Sequence, residues 1–167
     1  MFTRRHVFTA GAAGIAALTI GRMGGALPAT AAPVYEVTHT DAEWRKLLTP
    51  AQYDVLRQQG TERPFTSPLL HEKRAGTFTC AGCDLPLFSS KTKFDSGTGW
   101  PSFWKPLDNA VIVSEDNSLG VTRSAVSCRR CGSHLGHVFD DGPPPTGLRY
   151  CMDGVALKFV PTPNPNI

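Results

Sequence analysis

The sequence is poor in charge, since only 19% of its 167 residues are Asp, Glu, Lys or Arg. It also lacks internal repeats and low-complexity stretches, while it contains 16 Gly and 14 Pro. These features exclude a coiled coil, a collagen-like chain and a charged disordered tail. The length fits one domain of about 100–200 residues with a single core. We therefore predict a domain rich in loops and strands rather than a helical bundle.

No apolar run is long enough to cross a membrane, which takes about 20 apolar residues. The mildly apolar stretch at residues 9–21 is short and rich in Gly and Ala. It follows the pair Arg4-Arg5 and precedes the small residues Ala29–Ala32, an order similar to a twin-arginine export signal. An ordinary secretory signal is the alternative. We expect residues 1–31 to be a signal cleaved after Ala31, and the protein to be exported in folded form to the periplasm or another extracytoplasmic space.

The predicted leader has no acidic residue, and this changes how the formal charge of +3 is interpreted. Without Arg4, Arg5 and Arg22 the 17 basic residues become 14, against 14 acidic residues. The mature chain is then neutral and lacks the positive field that a nucleic-acid binder needs. The leader has no cysteine near its cleavage site for lipid attachment. We therefore expect no nucleic-acid partner and no stable membrane anchor.

Two short helices are predicted at the start of the mature chain. Thr40 and Glu43 fit a capping box, and Thr49 followed by Pro50 gives a second helix start. Gly60 is the expected end of the second helix. The aromatic residues expected to anchor these helices in the core are Trp44 and Tyr53.

After Gly60 the pattern changes to short alternating runs separated by turn residues, which predicts a small antiparallel β domain over residues 32–160. The Pro- and Asn-rich residues 161–167 are predicted to form a loose tail. The predicted strands lie near Gly76–Cys80, Ala110–Ser114, Gly120–Ser127, Gly136–Phe139, Leu148–Met152 and Val155–Val160.

Four of the five cysteines form two CxxC pairs, which are Cys80 with Cys83 and Cys128 with Cys131. Each pair can present two thiolates to a tetrahedral Zn²⁺, and each contains or adjoins a glycine that suits a tight turn. Two disulfides or two redox-active pairs are the alternatives. Twin-arginine export of a folded protein would allow zinc to bind before the chain reaches an oxidising compartment. We predict a structural Zn(Cys)4 site.

Cys151 is the cysteine left over from this arrangement. Arg149 lies two residues away on the same strand face, where a guanidinium would lower the thiol pKa. His134 and His137 come shortly before and could transfer protons near neutral pH. An inert buried thiol, and histidines that act as further metal ligands or structural residues, remain the alternatives.

Several ordered motifs together resemble the methionine sulfoxide reductase B family, from about Trp44 to Val160. The motifs that carry the resemblance are Phe94-Asp-Ser-Gly-Thr-Gly-Trp-Pro-Ser-Phe103, His134-Leu-Gly-His-Val-Phe-Asp-Asp-Gly-Pro143, Arg149-Tyr-Cys151, Gly60-Thr-Glu-Arg-Pro-Phe65 and both CxxC pairs. The resemblance implies a mainly β fold of two small antiparallel sheets (β-tent-like) behind the short N-terminal helices, with zinc remote from the catalytic residues.

The resemblance also implies reduction of the R epimer of methionine sulfoxide in proteins and peptides. Cys151 would be the nucleophile, with His134 and His137 binding and protonating around the sulfoxide oxygen. Trp100 and Phe139 would hold the substrate methyl group. The expected product on the enzyme is a Cys151 sulfenic acid, which a thioredoxin-like protein or another external thiol would reduce.

Two positions depart from the family pattern. Thr98 stands where many members have a resolving cysteine, so no cysteine outside the CxxC pairs is available to Cys151. Asp153 stands where Asn is usual. An ionised Asp153 would raise the thiol pKa, whereas a protonated one could donate to the sulfoxide oxygen.

Two binding modules remain as alternatives to an enzyme. One is a non-catalytic zinc-stapled β-tent module in which Trp100 and Trp104 line a ligand cage. Such a cage has no need of Cys151 with two histidines. The other is a zinc ribbon that binds nucleic acid, and the basic residues that would favour it are Arg123, Arg129 and Arg130.

Overall fold

The computed structural model of the chain describes residues 34–118 and 120–163. The predicted export signal at residues 1–31 lies outside the described residues, as do residues 164–167 of the predicted tail. Within the described ranges, the helices are too short and too polar to cross a membrane.

Two helices open the described chain, α1 (Asp41–Leu47) and α2 (Pro50–Gln58). Both begin with a complete capping box, in which Thr40 pairs with Glu43 and Thr49 pairs with Gln52. The predicted end of α2 at Gly60 is two residues too late. The helix stops at Gln58 because Gln59 takes the left-handed conformation, at φ 58°.

The described residues contain nine strands, which form two antiparallel sheets. The smaller sheet has the order β2-β1-β9, and the larger has the order β3-β4-β8-β7-β6-β5. The strands are β1 (Gly76–Cys80), β2 (Pro86–Ser89), β3 (Lys93–Phe94), β4 (Ser102–Phe103), β5 (Val111–Asp116), β6 (Arg123–Cys128), β7 (His134–Phe139), β8 (Arg149–Met152) and β9 (Leu157–Pro161). Short 3-10 helices occupy Pro68–His71, Ser90–Thr92 and Gly154–Ala156.

The structure confirms the predicted mainly β class with two antiparallel sheets and two short helices. It adds three strands that the sequence analysis missed, β2, β3 and β4, of which β3 and β4 are two residues long and show no alternation. The ninth strand was predicted from Val155, but residues 154–156 form a 3-10 helix. Pro161 was assigned to the tail and instead ends β9, where an edge strand tolerates proline.

Three phenylalanines with no exposed surface join the two sheets. Phe103 of the larger sheet stacks on Phe88 at 4.4 Å and meets Phe78 edge-on at 4.9 Å between ring centroids. Such aromatic pairs favour offset or edge-to-face contact. Trp44 and Tyr53 are also buried, which confirms them as the core anchors of the helices.

The pairing of β6 with β7 contains a β-bulge at Leu135. Val126 pairs with Gly136 while Ser127 pairs with His134, so Leu135 is an extra residue on β7. Side chains three residues apart on a regular strand point to opposite faces. The extra residue shifts the register by one and brings His134 to the same face as His137. The centroids of the two rings therefore lie 5.3 Å apart.

Candidate active site and metal centre

The four cysteines of the two CxxC pairs form one cluster. Their sulfur atoms all lie within 4.8 Å of one another. Cys80 Sγ lies 3.7 Å from Cys131 Sγ, and Cys83 Sγ lies 3.5 Å from Cys128 Sγ, so each of these contacts joins one pair to the other. The long segment between the pairs folds so that two separate turns meet at this point.

Each CxxC pair is held by a tight turn whose left-handed residue comes directly after the second cysteine. In the first turn this residue is Asp84, with φ 59°, and its amide donates to Cys80 O at 2.9 Å. In the second it is Gly132, with φ 68°, and its amide donates to Cys128 O at 2.9 Å. Gly132 therefore serves the turn as expected, while aspartate fills the equivalent place in the first turn.

The cluster fits a tetrahedral Zn²⁺ ion. Four thiolates at the usual Zn–S distance of about 2.3 Å would have sulfurs about 3.8 Å apart, close to the observed contacts. The two-disulfide alternative finds no support, because all five cysteines are described and none is bonded to another. The predicted structural Zn(Cys)4 centre is therefore confirmed as a metal site.

Cys151 lies in a separate pocket of about 120 Å³. In the larger sheet it pairs with His137 of β7 on one side and with Ser102 of β4 on the other. Gly136 lets β7 and β8 approach here, since a side chain at its φ of 146° would collide with Cys151 O. The residues that line the pocket are Thr61, Trp100, Arg123, Gly136, His137, Phe139, Cys151 and Asp153.

Burial raises the pKa of the Cys151 thiol, and neighbouring groups modify the effect in both directions. A hydrogen bond with Thr98 and the charge of Arg149 lower it, whereas the charge of Asp153 raises it. The predicted effect of Arg149 has the right sign but is smaller than that of burial. Arg149 is also bound to Asp141 through two contacts, at 2.8 and 2.9 Å.

The two histidines occupy different environments. His137 faces the pocket, and its Nε2 lies 2.8 Å from Asp116 Oδ2. His134 is 5% exposed, and its buried Nε2 has no hydrogen-bond partner among the described residues. Burial lowers the pKa of His134 to about 4, so its ring is neutral near pH 7. His137 is thus better placed than His134 to deliver a proton.

Two residues at this site were missed as functional, Asp116 and Arg123. They pair across the β5–β6 hairpin, and Arg123 Nη2 lies 2.6 Å from the same Asp116 oxygen that contacts His137. Hydrogen bonds from Ser118, and then from His137, hold the pKa of Asp116 well below its usual range. Asp116 lay beyond the predicted strand Ala110–Ser114, so the sequence carried no signal for this pairing. Arg123 had been considered only as a basic surface residue.

Asp153 is 3% exposed and is braced by Glu62, a residue that sequence reasoning gave no role. The Glu62 amide donates to Asp153 Oδ1 at 2.9 Å, while the Glu62 carboxylate accepts from the amides of Gly154 and Val155. Burial raises the pKa of Asp153 to about 7, against a hydrogen bond from the Glu62 amide that lowers it more than the Glu62 charge raises it. A protonated Asp153 is therefore accessible at neutral pH.

The predicted aromatic pair lines the pocket together. Trp100 Nε1 donates to Glu62 O at 3.2 Å, and the Arg149 guanidinium lies 4.4 Å from the centre of the Phe139 ring. Both rings are therefore fixed by polar partners at the pocket wall. Trp104 instead lines a different surface pocket, beside Lys105 and Leu107, so the two-tryptophan cage is not favoured.

Comparisons with known proteins agree with this site. A family model described as the SelR domain matches residues 48–161. A curated protein named peptide methionine sulfoxide reductase MsrB from Pseudomonas putida (strain W619) is 58% identical over 127 residues, which is 75% of this chain and 96% of that protein. Proteins of the same name from Leifsonia xyli subsp. xyli (strain CTCB07) and Methanosarcina barkeri (strain Fusaro / DSM 804) are 57% and 56% identical. These alignments cover 76% and 74% of this chain, and 93% and 87% of the two relatives.

The matched region contains both CxxC pairs and every residue that lines the Cys151 pocket. The chain therefore belongs to the methionine sulfoxide reductase B family.

Proposed function

We propose that the protein reduces methionine-R-sulfoxide in peptides and proteins to methionine, with Cys151 as the nucleophile. The observation that carries this proposal is the pairing of Cys151 with His137 across adjacent strands, at one pocket walled by Trp100 and Phe139. A thiol, a proton donor and an apolar wall thus meet where a sulfoxide side chain would enter. Membership in the reductase family supports the same chemistry.

The reaction needs a thiolate at sulfur and a proton at oxygen. The Cys151 thiolate attacks the sulfoxide sulfur, and His137 delivers a proton to the oxygen, which weakens the S–O bond. The new bond between the two sulfur atoms forms as the protonated oxygen leaves as hydroxide. Addition of this oxygen to the Cys151 sulfur then breaks the S–S bond, which releases methionine and leaves Cys151 as a sulfenic acid. The enzyme thiol is oxidised as the sulfoxide is reduced, so the step balances without another reactant.

The remaining pocket residues bind the substrate and orient the reacting groups. Trp100 and Phe139 hold the methyl group, and Arg149 fixes Phe139 while it favours the thiolate. The neutral ring of His134 lies close to that of His137, and its buried Nε2 is free to form a hydrogen bond near the bound sulfoxide. Asp153, when protonated, donates to the sulfoxide oxygen from the wall of the pocket. The cysteine cluster lies outside this pocket, and zinc bound there would cross-link two distant turns.

The enzyme is regenerated by an external thiol, with a thioredoxin-like protein as the proposed partner. Two thiols reduce the sulfenic acid to the Cys151 thiol, which releases water and leaves the partner as a disulfide. This route is favoured because the cysteines other than Cys151 lie in the metal cluster.

Turnover of a peptide with racemic methionine sulfoxide, in the presence of dithiothreitol, tests the proposal. We expect the wild-type protein to consume only the R epimer, and Cys151→Ser to consume neither. Consumption of the S epimer, or activity that survives Cys151→Ser, would refute the assignment. A zinc measurement on Cys151→Ser serves as the control for folding.

We also propose that residues 1–31 direct export of the folded, zinc-loaded protein by the twin-arginine route. Folding before export would keep the four cluster cysteines from oxidation. N-terminal sequencing of exported protein should begin at Ala32, and Arg4→Lys with Arg5→Lys should retain the protein in the cytoplasm. Unchanged export of this double variant would exclude the route.

A further inference from the structure

Phe65 is an aromatic residue that the fold leaves in water. Its exposed fraction is 66%, the largest of any aromatic residue in the described part of the chain. Its backbone is left-handed, at φ 65°, a conformation that is rare and costly for a bulky residue. Neither core packing nor turn geometry calls for phenylalanine at such a position.

Two hydrogen bonds place Phe65 beside the catalytic pocket. The Phe65 amide donates to Gly99 O at 2.8 Å, and the indole of Trp100, the next residue, donates to Glu62 O. The Phe65 ring lies against Gly99, where a side chain would come within 3.0 Å of its edge. The ring therefore adjoins the Trp100 wall, but it lies outside the set of residues that line the pocket.

The size of the pocket decides what must lie outside it. Its volume of about 120 Å³ is well below the roughly 300 Å³ at which pockets for drug-sized ligands begin. It can hold one side chain, so the backbone and neighbouring residues of a polypeptide substrate must lie on the rim. Phe65 presents an exposed apolar ring beside Gly99, the residue that precedes Trp100 of the pocket wall.

We propose that Phe65 is a specificity residue that binds an apolar side chain adjacent to methionine sulfoxide in a polypeptide substrate. The inference rests on the proposed reductase function and adds the chemistry of the flanking residue. Contact with the ring would cover apolar surface on both partners, which favours peptides with Leu, Val or Phe beside the sulfoxide. A substrate without such a neighbour gains nothing from Phe65.

The experiment compares three substrates that contain methionine-R-sulfoxide. The first is a pentapeptide with Leu on both sides of the sulfoxide, the second is the same peptide with Ser in place of Leu, and the third is N-acetylmethionine sulfoxide methylamide. The enzymes are wild type, Phe65→Ala, Phe65→Gly and the control Leu47→Ala. Leu47 is 61% exposed on α1 and lines none of the Cys151 pocket. Phe65→Gly removes the ring and also relieves the left-handed strain, so it separates the two effects.

For the Leu peptide, we expect Phe65→Ala and Phe65→Gly to lower kcat/KM by about three- to tenfold, mainly through KM. The Ser peptide and the small amide should change by less than about twofold, as should every substrate with Leu47→Ala. An equal loss on all three substrates would show that Phe65 only supports Trp100, and it would overturn the proposal. The proposal would also be overturned if the ratio of kcat/KM for the Leu peptide to that for the Ser peptide were the same in the Phe65 variants as in wild type. A wild-type protein inactive on all three substrates would instead refute the reductase function itself.

Discussion

The hydroxyl of Thr98 lies 3.8 Å from the sulfur of Cys151, at the position where many family members have a second cysteine. It belongs to a chain of hydroxyls, since Ser96 Oγ lies 2.9 Å from Thr98 Oγ1 and 2.7 Å from Ser102 Oγ. Cys151 therefore faces hydrogen-bonding groups that cannot form a disulfide. This favours a sulfenic acid that persists until an external thiol arrives.

After one turnover without reductant, mass spectrometry should find Cys151 as sulfenic acid and no internal disulfide. Thr98→Cys should change this result, because the new sulfur would stand next to Cys151 and could condense with the sulfenic acid. We expect loss of both thiols and one disulfide in that variant. A Cys151 disulfide with a cluster cysteine in the wild-type protein would contradict the prediction.

Asp153 should set the alkaline limit of activity. Its pKa of about 7 means that it loses its proton as the pH rises through neutrality, and its charge then raises the thiol pKa further. Asp153→Asn keeps a hydrogen-bond donor and cannot ionise. We expect the profile of kcat/KM against pH to move to higher pH, and an unchanged profile would remove Asp153 from the mechanism.

The same residue should affect stability. Its folded pKa of about 7 exceeds the ordinary value of 3.8, so the folded state holds the proton more tightly. Its contribution to stability is therefore present below about pH 4 and is lost as the pH rises to about 7. Urea titrations between these values should show a smaller decline for Asp153→Asn than for wild type.

Asp116 should act through His137 as a positioning residue. Asp116→Asn removes the charge that holds both the His137 ring and Arg123. We expect kcat to fall by about ten- to a hundredfold, since a small displacement of a catalytic group is costly. The pH profile should also change. Glu115→Gln is the control, because Glu115 is exposed and contacts Asn117. Equal effects of the two substitutions would argue against a role for Asp116.

Loss of the metal should destabilise the fold. Cys131→Ser removes one ligand of a cluster that joins two turns separated by 44 intervening residues. We expect loss of bound zinc, a lower Tm, and greater sensitivity to chelators, because metal binding is coupled to folding. Cys151→Ser should bind one zinc per chain with little change in Tm. A metal-free Cys131→Ser variant as stable as wild type would contradict a structural role.

The sequence predicted the helix starts and the four-cysteine cluster because each depends on local chemistry. A capping box at Thr40 or a CxxC pair is complete within a few residues. The two-residue strands β3 and β4 carry no such local signal, because they are strands only through pairing with each other and with β8. Their existence is a tertiary property.

The same distinction applies to the site. Cys151 and its histidines could be identified from residue type and from the family resemblance. Asp116 and Glu62 could not be assigned roles, because their partners are 21 and 91 or more residues away in the chain. The direction of the shift in the Cys151 thiol pKa also could not be predicted from the sequence, because burial raises this pKa by more than the charge of Arg149 lowers it.

The extra residue at Leu135 makes the position of His134 depend on strand register rather than on side-chain identity. The bulge lies in the pairing of β7 with β6, whereas His137 pairs with Cys151 on the other side of β7. Deleting one residue from the bulge would remove the extra residue from the β6 side. It would turn His134 to the opposite face of the sheet. The number of residues at this point therefore decides on which face of the sheet His134 lies. An insertion or deletion here would change that face without substituting any residue that lines the pocket.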